Sequence, residues 1–155
     1  MGPACKSISF LILGGLLAAA AAGLFGGQPS PRVNADFGRA ALSVRTPAII
    51  RNGEFFETRI DIRADVPVAE VVLAIEADLW RDMTINTMIP AAGKEEYKDG
   101  EYRFSYGTLA AGDALAIKID GQINPPLFAG NEGVIALYDG ERLLGPPTFR
   151  IKVLP

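Results

Sequence analysis

Short segments in which apolar and polar residues alternate dominate the chain after residue 40. In residues 54–63, Phe56, Thr58, Ile60 and Ile62 share one face, and charged residues occupy the other. A two-residue period of this kind predicts a strand with one buried face. Since no stretch after residue 40 keeps a helical period, the pattern predicts a fold built from strands.

Turn residues separate these segments. Residues 52–53, 99–100 and 139–140 are Asn-Gly, Asp-Gly and Asp-Gly, which tolerate the positive φ that tight hairpin turns require. Strands and turns that recur about every 10–15 residues predict an all-β fold, an antiparallel β-sandwich of seven to eight strands. The predicted strands are 42–45, 54–63, 68–75, 83–89, 101–106, 114–120, 133–138 and 148–153.

Three consecutive segments near the middle of this region carry a resemblance. A strand at Tyr102–Gly107 leads into a Leu-x-x-Gly turn at Thr108–Asp113, and an alternating strand follows at Leu115–Asp120. This order resembles bacterial exported immunoglobulin-like domains, and the likeness extends over residues 41–155 at the level of the fold. It implies an immunoglobulin-like sandwich. Because the Cys-Trp-Cys core of antibody-type domains is absent, no functional residue carries over from the resemblance.

An uncharged apolar run occupies residues 7–27. As a helix it would span about 31 Å, enough for the hydrocarbon core of a bilayer. Lys6 precedes the run, and the long remainder follows it, which predicts a single-pass helix in the bacterial inner (cytoplasmic) membrane with the C-terminal domain periplasmic. A cleaved signal peptide stays open as the alternative, because residues 20–22 and 33–35 both offer small-residue cleavage sites.

The predicted organisation is a membrane anchor at 1–27, a linker at 28–40 and an extracytoplasmic sandwich at 41–155. Within the anchor, small residues recur every four positions, which predicts a flat face for packing against helices of other membrane protein subunits. Five consecutive alanines would produce the same spacing without any such role. The predicted helix-packing residues are Gly14, Ala18, Ala22 and Gly26.

Residues 78–90 hold the only tryptophan and two of the three methionines. Trp, Arg and Met are enriched in interfaces, so Trp80, Arg81 and Met83 are predicted to bind a partner. The alternative is a tryptophan packed in the core. Met83 and Met88 are five residues apart, so on a regular strand they would face opposite ways.

Residues 122–133 form the second candidate surface. A Pro-Pro pair stiffens this predicted loop, and apolar residues lie where polar ones are usual, which indicates an interaction surface. The alternative is that they fold back to cover the core. The predicted partner-binding residues are Asn124, Pro125, Leu127 and Phe128.

Composition excludes several functions. The chain has no His and one Cys, Cys5, which removes His-based nucleophilic catalysis and most zinc sites. Residues 36–155 hold all 18 acidic but only 13 of the 15 basic residues, a balance poorly suited to nucleic acid. Glu95 and Glu96, beside two lysines, are predicted to lie in a solvated loop. We therefore predict no catalytic residue, metal or cofactor.

Two functions fit these predictions. The first is a non-catalytic, membrane-anchored accessory or assembly subunit, which contacts the lipid bilayer through residues 7–27 and stabilises a larger membrane protein complex. The second is a cleaved periplasmic or secreted module that binds carbohydrate, peptide or metal.

Overall fold

The computed structural model describes residues 3–24, 29–50, 53–124, 130–145 and 150–153. Within these residues, backbone hydrogen bonds form one α-helix and eleven strands. A 3-10 helix at Ala77–Trp80 interrupts the strands. The elements are α1 (Pro3–Ala21), β1 (Arg32–Asp36), β2 (Ala40–Arg45), β3 (Phe55–Ala64), β4 (Val71–Glu76), β5 (Met83–Ile89), β6 (Lys94–Lys98), β7 (Glu101–Ser105), β8 (Ala114–Ile123), β9 (Asn131–Asp139), β10 (Arg142–Leu143) and β11 (Arg150–Val153).

The strands form two antiparallel sheets. Sheet 1 has the order β1-β2-β3-β8-β5, and sheet 2 has the order β10-β9-β4-β7-β6, with β11 also paired to β9. Apolar side chains on the facing sides of the two sheets form one buried cluster. This arrangement confirms the predicted antiparallel sandwich, but the described residues form eleven strands where seven to eight were predicted. The largest side chains in the buried cluster come from β2, β3 and β8 of sheet 1 and from β4 and β9 of sheet 2.

Strand β3 shows the predicted alternation residue by residue. Phe56, Thr58, Ile60 and Ile62 are buried, whereas the residues between them face solvent or lie half-buried. The hydroxyl of Thr58 is hydrogen-bonded to the hydroxyl of Thr46 at 2.6 Å. This bond satisfies two polar groups that would otherwise be costly inside the sandwich.

Strand β6 corrects the prediction of a solvated loop around Glu95 and Glu96. Asp99 and Gly100 both have positive φ, 54° and 85°, and join β6 to β7 in a two-residue hairpin. This turn type matches the twist of the flanking strands and fixes their register. Because a hairpin needs a strand on each side, the predicted Asp-Gly turn itself implies β6.

Strand β1 lies within the range 28–40 that the sequence predicted as a linker. It pairs with β2 over five residues, from Arg32 opposite Arg45 to Asp36 opposite Ala41. Its own sequence contains only two apolar residues, too few to show a period. Phe37, which follows it, packs against the core and secures the strand from its far end.

Helix α1 leaves its apolar side chains exposed on every side, including Phe10 and Leu11, which are 73% and 76% exposed. Gly14, Ala18 and Ala22, three of the predicted helix-packing residues, are also exposed. Gly26 lies outside the described residues. Over the part of the chain that the structure describes, no helix meets the length and hydropathy required to cross a membrane.

Candidate functional site

A groove opens where the edge strand of sheet 1, β5, faces the edge strand of sheet 2, β6. Residues 90–93 connect the two strands across this side of the sandwich. Next to the groove, the hydroxyl of Tyr106, which follows β7, links the two sheets by donating to the sulfur of Met88 on β5 at 2.9 Å. One wall of the groove carries Trp80, Tyr102 and Phe104, and the other carries Met83, Ile85 and Met88.

Four aromatic rings line the β6–β7 side in a continuous row. Trp80 stacks on Tyr102 with ring centroids 5.7 Å apart and an interplanar angle of 30°. Its other neighbour is Phe104, at 5.8 Å, and Tyr97 lies 5.2 Å from Tyr102. The row runs from the buried Phe104 to Tyr97, which is 63% exposed.

The exposed end of the row lies on β6, the edge strand of sheet 2. The register places Tyr97 opposite Tyr102 and Glu95 opposite Phe104, so all four side chains lie on the side of sheet 2 that faces sheet 1. Sheet 1 ends at β5 and leaves Tyr97 and Glu95 uncovered. We call Trp80, Tyr97, Tyr102 and Phe104 the aromatic row.

Trp80 is positioned by the 3-10 helix and by the strand behind it. Leu79 is buried and packs directly on Gly133 of β9, where a Cβ would lie only 2.7 Å from the Leu79 Cβ and 2.9 Å from its backbone nitrogen. The Glu76 carboxylate accepts a hydrogen bond from the Val134 N–H at 2.9 Å. The Asn131 side-chain amide donates to the Arg81 carbonyl. These contacts hold the 3-10 helix at both ends.

The opposite wall depends on a β-bulge. The pairing of β5 with β8 shifts between Ile85 and Thr87, so Asn86 is the extra residue. Met83 and Met88, which a regular strand would point in opposite directions, therefore both pack against the core side and line the groove. Opposite faces were expected only on a regular strand, and the bulge means that β5 is not regular.

The groove also offers a few polar groups. Asn86 and Glu95 line it, and both are exposed. Burial raises the pKa of Tyr106, the hydrogen-bond partner of Met88, to about 12, and the negative charge of Glu95 adds to this effect. Tyr106 therefore keeps its proton and its hydrogen bond to Met88 across the neutral pH range. An aromatic and aliphatic lining with a small number of polar groups is typical of ligand-binding clefts.

The structure brings part of the two predicted surfaces together. Arg81 has an exposed side chain, 3.5 Å from the Asp78 carboxylate. The Asn124 amide donates to the Thr84 hydroxyl at 2.9 Å, and its backbone N–H donates to the Asp82 carbonyl. Asn124 thus lies beside the start of β5, near Met83, whereas Pro125, Leu127 and Phe128 lie outside the described residues.

Trp80 and Met83, two of the predicted partner-binding residues, line the groove, but the sequence does not predict a role for the aromatic residues beside them. It assigns Tyr102 and Phe104 to the apolar face of one strand and places Tyr97 in no element. The Asp-Gly turn was the available signal, since pairing across it sets Tyr97 opposite Tyr102. Within the described ranges, the structure contains no group of three or more His, Cys, Asp or Glu side chains able to hold a metal ion.

No protein-family model matches the chain, and no curated protein matches it. Among solved structures, the chain is similar to the chitin-binding domain of a hyperthermophilic chitinase from Pyrococcus furiosus. The solution structure of that domain matches with a TM-score of 0.43 and 13% identity, over 76% of this chain and 99% of that one. Its crystal structure matches with a TM-score of 0.43 and 14% identity, over 73% and 99%. At these scores the matches establish neither a family nor a ligand for this chain, and the immunoglobulin-like assignment stays a prediction.

Proposed function

We propose that the sandwich is a non-catalytic binding module that takes a carbohydrate chain in the groove between β5 and β6. The observation that supports this proposal is the aromatic row, of which Trp80, Tyr102 and Phe104 line one wall and Tyr97, beside Tyr102, is largely exposed. Aromatic side chains that are not fully covered by their own fold are the side chains best suited to stack on a ligand.

Carbohydrate fits the chemistry of both the wall and the rim. A pyranose ring has an apolar face of C–H groups and a rim of hydroxyls. The C–H face packs on an aromatic ring and displaces water from both surfaces. The hydroxyls find a carboxylate at Glu95 and an amide at Asn86.

Binding to insoluble and soluble polysaccharides, cellulose and chitin among them, tests the proposal. We expect Trp80→Ala and Tyr102→Ala each to weaken retention about tenfold or more, as truncation of a central aromatic contact does. Phe55→Ala is the matched control, because Phe55 is 71% exposed but lies on the outer face of sheet 1. Melting temperatures of all three variants verify that the fold is intact.

The proposal fails if the wild-type chain binds no polysaccharide in the panel. It also fails if the Phe55 variant loses as much affinity as the Trp80 variant. Binding of extended peptides alone would assign the groove to peptide recognition along the edge strand β5 instead.

A second proposal concerns α1, whose apolar side chains are exposed on all sides. We propose that α1 anchors the chain in a lipid bilayer and that Gly14, Ala18, Ala22 and Gly26 contact helices of other membrane protein subunits. The expected result is a full-length chain that stays in the membrane fraction after alkaline carbonate washing and copurifies with partner subunits. Replacement of these four small residues by Leu is expected to remove the partners but to leave the chain in the membrane. A shortened chain in the soluble fraction would contradict the anchor.

A further inference from the structure

A row of four cations crosses the outer face of sheet 1, the face directed away from sheet 2. The register places Arg32 opposite Arg45, Arg45 opposite Arg59, and Arg59 opposite Lys118. Neighbouring strands lie about 4.8 Å apart, so the row spans about 14 Å. Like charges directly opposite each other destabilise a sheet. We call these four residues the cation row.

Only half of the cation row is neutralised by the sheet itself. Glu57 forms ion pairs with Arg59 and, at 2.9 Å, with Lys118, and Asp120 lies 3.3 Å from the same Lys118 ammonium. These two pairs hold the pKa of Glu57 below its usual value. Arg32 on β1 and Arg45 on β2 form no ion pair or side-chain hydrogen bond with any described residue.

An exposed aromatic ring lies at the same end of this face. Phe55 precedes Glu57 by two positions on β3, so its side chain is on the outer side, and it is 71% exposed. Together with Pro29 and Pro47 it lines a shallow cleft that the three arginines of the cation row also border. Cations around an exposed aromatic side chain are typical of surfaces that contact lipid headgroups.

The opposite end of the same face has a different charge. There Asp36 and Asp61 face outward, and the Arg63 guanidinium lies 3.2 Å from the Asp65 carboxylate. The excess of positive charge is therefore confined to the end at which the chain enters the sandwich from α1. Only seven residues lie between Leu24 and Arg32, so the eight Cα–Cα steps reach at most about 28 Å.

We propose that the cation row and Phe55 form a docking surface for the anionic phospholipid headgroups of the bilayer that holds α1. This inference rests on the proposed insertion of α1, which brings the row within reach of the headgroups. Phosphates supply the charge that Arg32 and Arg45 lack within the sheet. Contact along this face would fix the orientation of the sandwich on the membrane.

Fluorescence quenching of the full-length chain in vesicles tests the docking. A probe is attached at Asn34→Cys, next to Arg32 on β1, in a Cys5→Ser background, and a nitroxide on the lipid headgroup is the quencher. We expect about threefold or greater quenching when part of the phosphatidylcholine is replaced by phosphatidylglycerol, and loss of this increase near 1 M salt, where the Debye length is about 3 Å. A probe at Ala111→Cys, at the opposite end of the sandwich, is expected to show no increase.

Two triple variants of equal charge show whether the cation row is responsible. R32Q/R45Q/R59Q is expected to abolish the increase at Asn34. R63Q/R81Q/R142Q removes the same charge elsewhere and is expected to leave the increase intact. Equal loss in both variants, or equal quenching in neutral and anionic vesicles, would overturn the docking.

Insertion of α1 is measured in a separate assay, as the fraction of the protein that floats with neutral vesicles after an alkaline wash. Flotation without selective quenching overturns the docking surface alone, whereas absence of flotation overturns both the anchor and the docking. Release of the Asn34 probe by low millimolar glycerol phosphate would identify a small-anion site and would also overturn the bilayer contact.

Discussion

Arg103 is nearly buried on the outer face of sheet 2, where the alternation of β7 predicts an exposed side chain. Two of its nitrogens donate to the Glu101 carboxylate at 3.0 and 2.9 Å, and its guanidinium lies 4.7 Å above the Tyr138 ring. A third nitrogen lies 3.3 Å from Glu141. This charged cluster covers Ala74 of the central strand β4, directly opposite Arg103 in the register.

Arg103→Ala is expected to lower the free energy of unfolding by about 2–4 kcal/mol, because it leaves the Glu101 carboxylate without its cation and uncovers Ala74. Arg63→Ala is the control, since the Arg63 side chain is 65% exposed and its single ion pair is exposed too. We expect a change within about 0.5 kcal/mol there. Urea denaturation measures both, and equal losses would contradict the structural role of Arg103.

The Tyr106 hydroxyl is expected to lose its proton at a higher pH than an ordinary tyrosine. Burial raises its pKa to about 12, whereas an unfolded tyrosine ionises near pH ~10. Between these values the unfolded state has lost a proton that the folded state keeps. Stability therefore falls as the pH rises from about 10 to 12. Phenolate absorbance during alkaline titration follows the ionisation, and Tyr106→Phe is expected to remove the transition near pH ~12. Titration of all tyrosines together near the ordinary value would contradict this burial.

At the scale of elements, the 3-10 helix that carries Trp80 depends on the absence of a side chain at Gly133. An added Cβ would meet Leu79 backbone atoms at 2.9 and 3.1 Å, and backbone gives way less readily than the end of a flexible side chain. The position of Trp80 in the groove thus follows from the packing of one strand residue behind it.

Gly133→Ala is expected to destabilise the fold by about 1–3 kcal/mol and to weaken polysaccharide binding, since the 3-10 helix must shift to accept the new methyl group. Gly93→Ala is the matched control. A Cβ at Gly93 would lie 3.6 Å from the Ser105 carbonyl, an ordinary contact, and should change neither property. The two melting temperatures and retention on polysaccharide measure the difference. A Gly133 variant with unaltered binding would show that Trp80 does not depend on this packing.

The sequence predicts most strands of the fold, because burial of one face leaves a period of two in β3, β7 and β8. It does not predict β1 or β6 from their own residues. Both are short edge strands of five residues, and hydrogen bonds to a neighbour define them more than apolar side chains do. The aromatic row could not be predicted from β6 alone either, because Tyr97 meets Tyr102 only through the strand pairing across Asp99-Gly100. The bulge at Asn86 interrupts the two-residue alternation of β5, so the sequence does not predict which way the Met88 side chain points.

At the scale of the whole molecule, cleavage at the two candidate signal-peptide sites would have different effects on the fold. Residues 33–35 lie inside β1, whose five residues pair with β2. Cleavage there would remove an edge strand from sheet 1, whereas cleavage after residue 22 would leave every strand in place. A chain that starts at Asp36 is therefore expected to melt at a lower temperature than one that starts at Gly23. Equal melting temperatures would show that β1 contributes nothing to stability.

The proposed groove links all three scales, since Gly133 and the 3-10 helix position Trp80, and the β6–β7 hairpin positions Tyr97 and Tyr102 beside it. Trp80 is the only tryptophan in the chain, so its fluorescence reports on this groove alone. A titration of the full chain with soluble oligosaccharides measures that emission directly. We expect a saturable shift of the Trp80 emission that Tyr102→Ala abolishes and Phe55→Ala preserves. Emission that stays unchanged at every concentration, while the chain still binds polysaccharide, would place the binding site elsewhere and contradict the account.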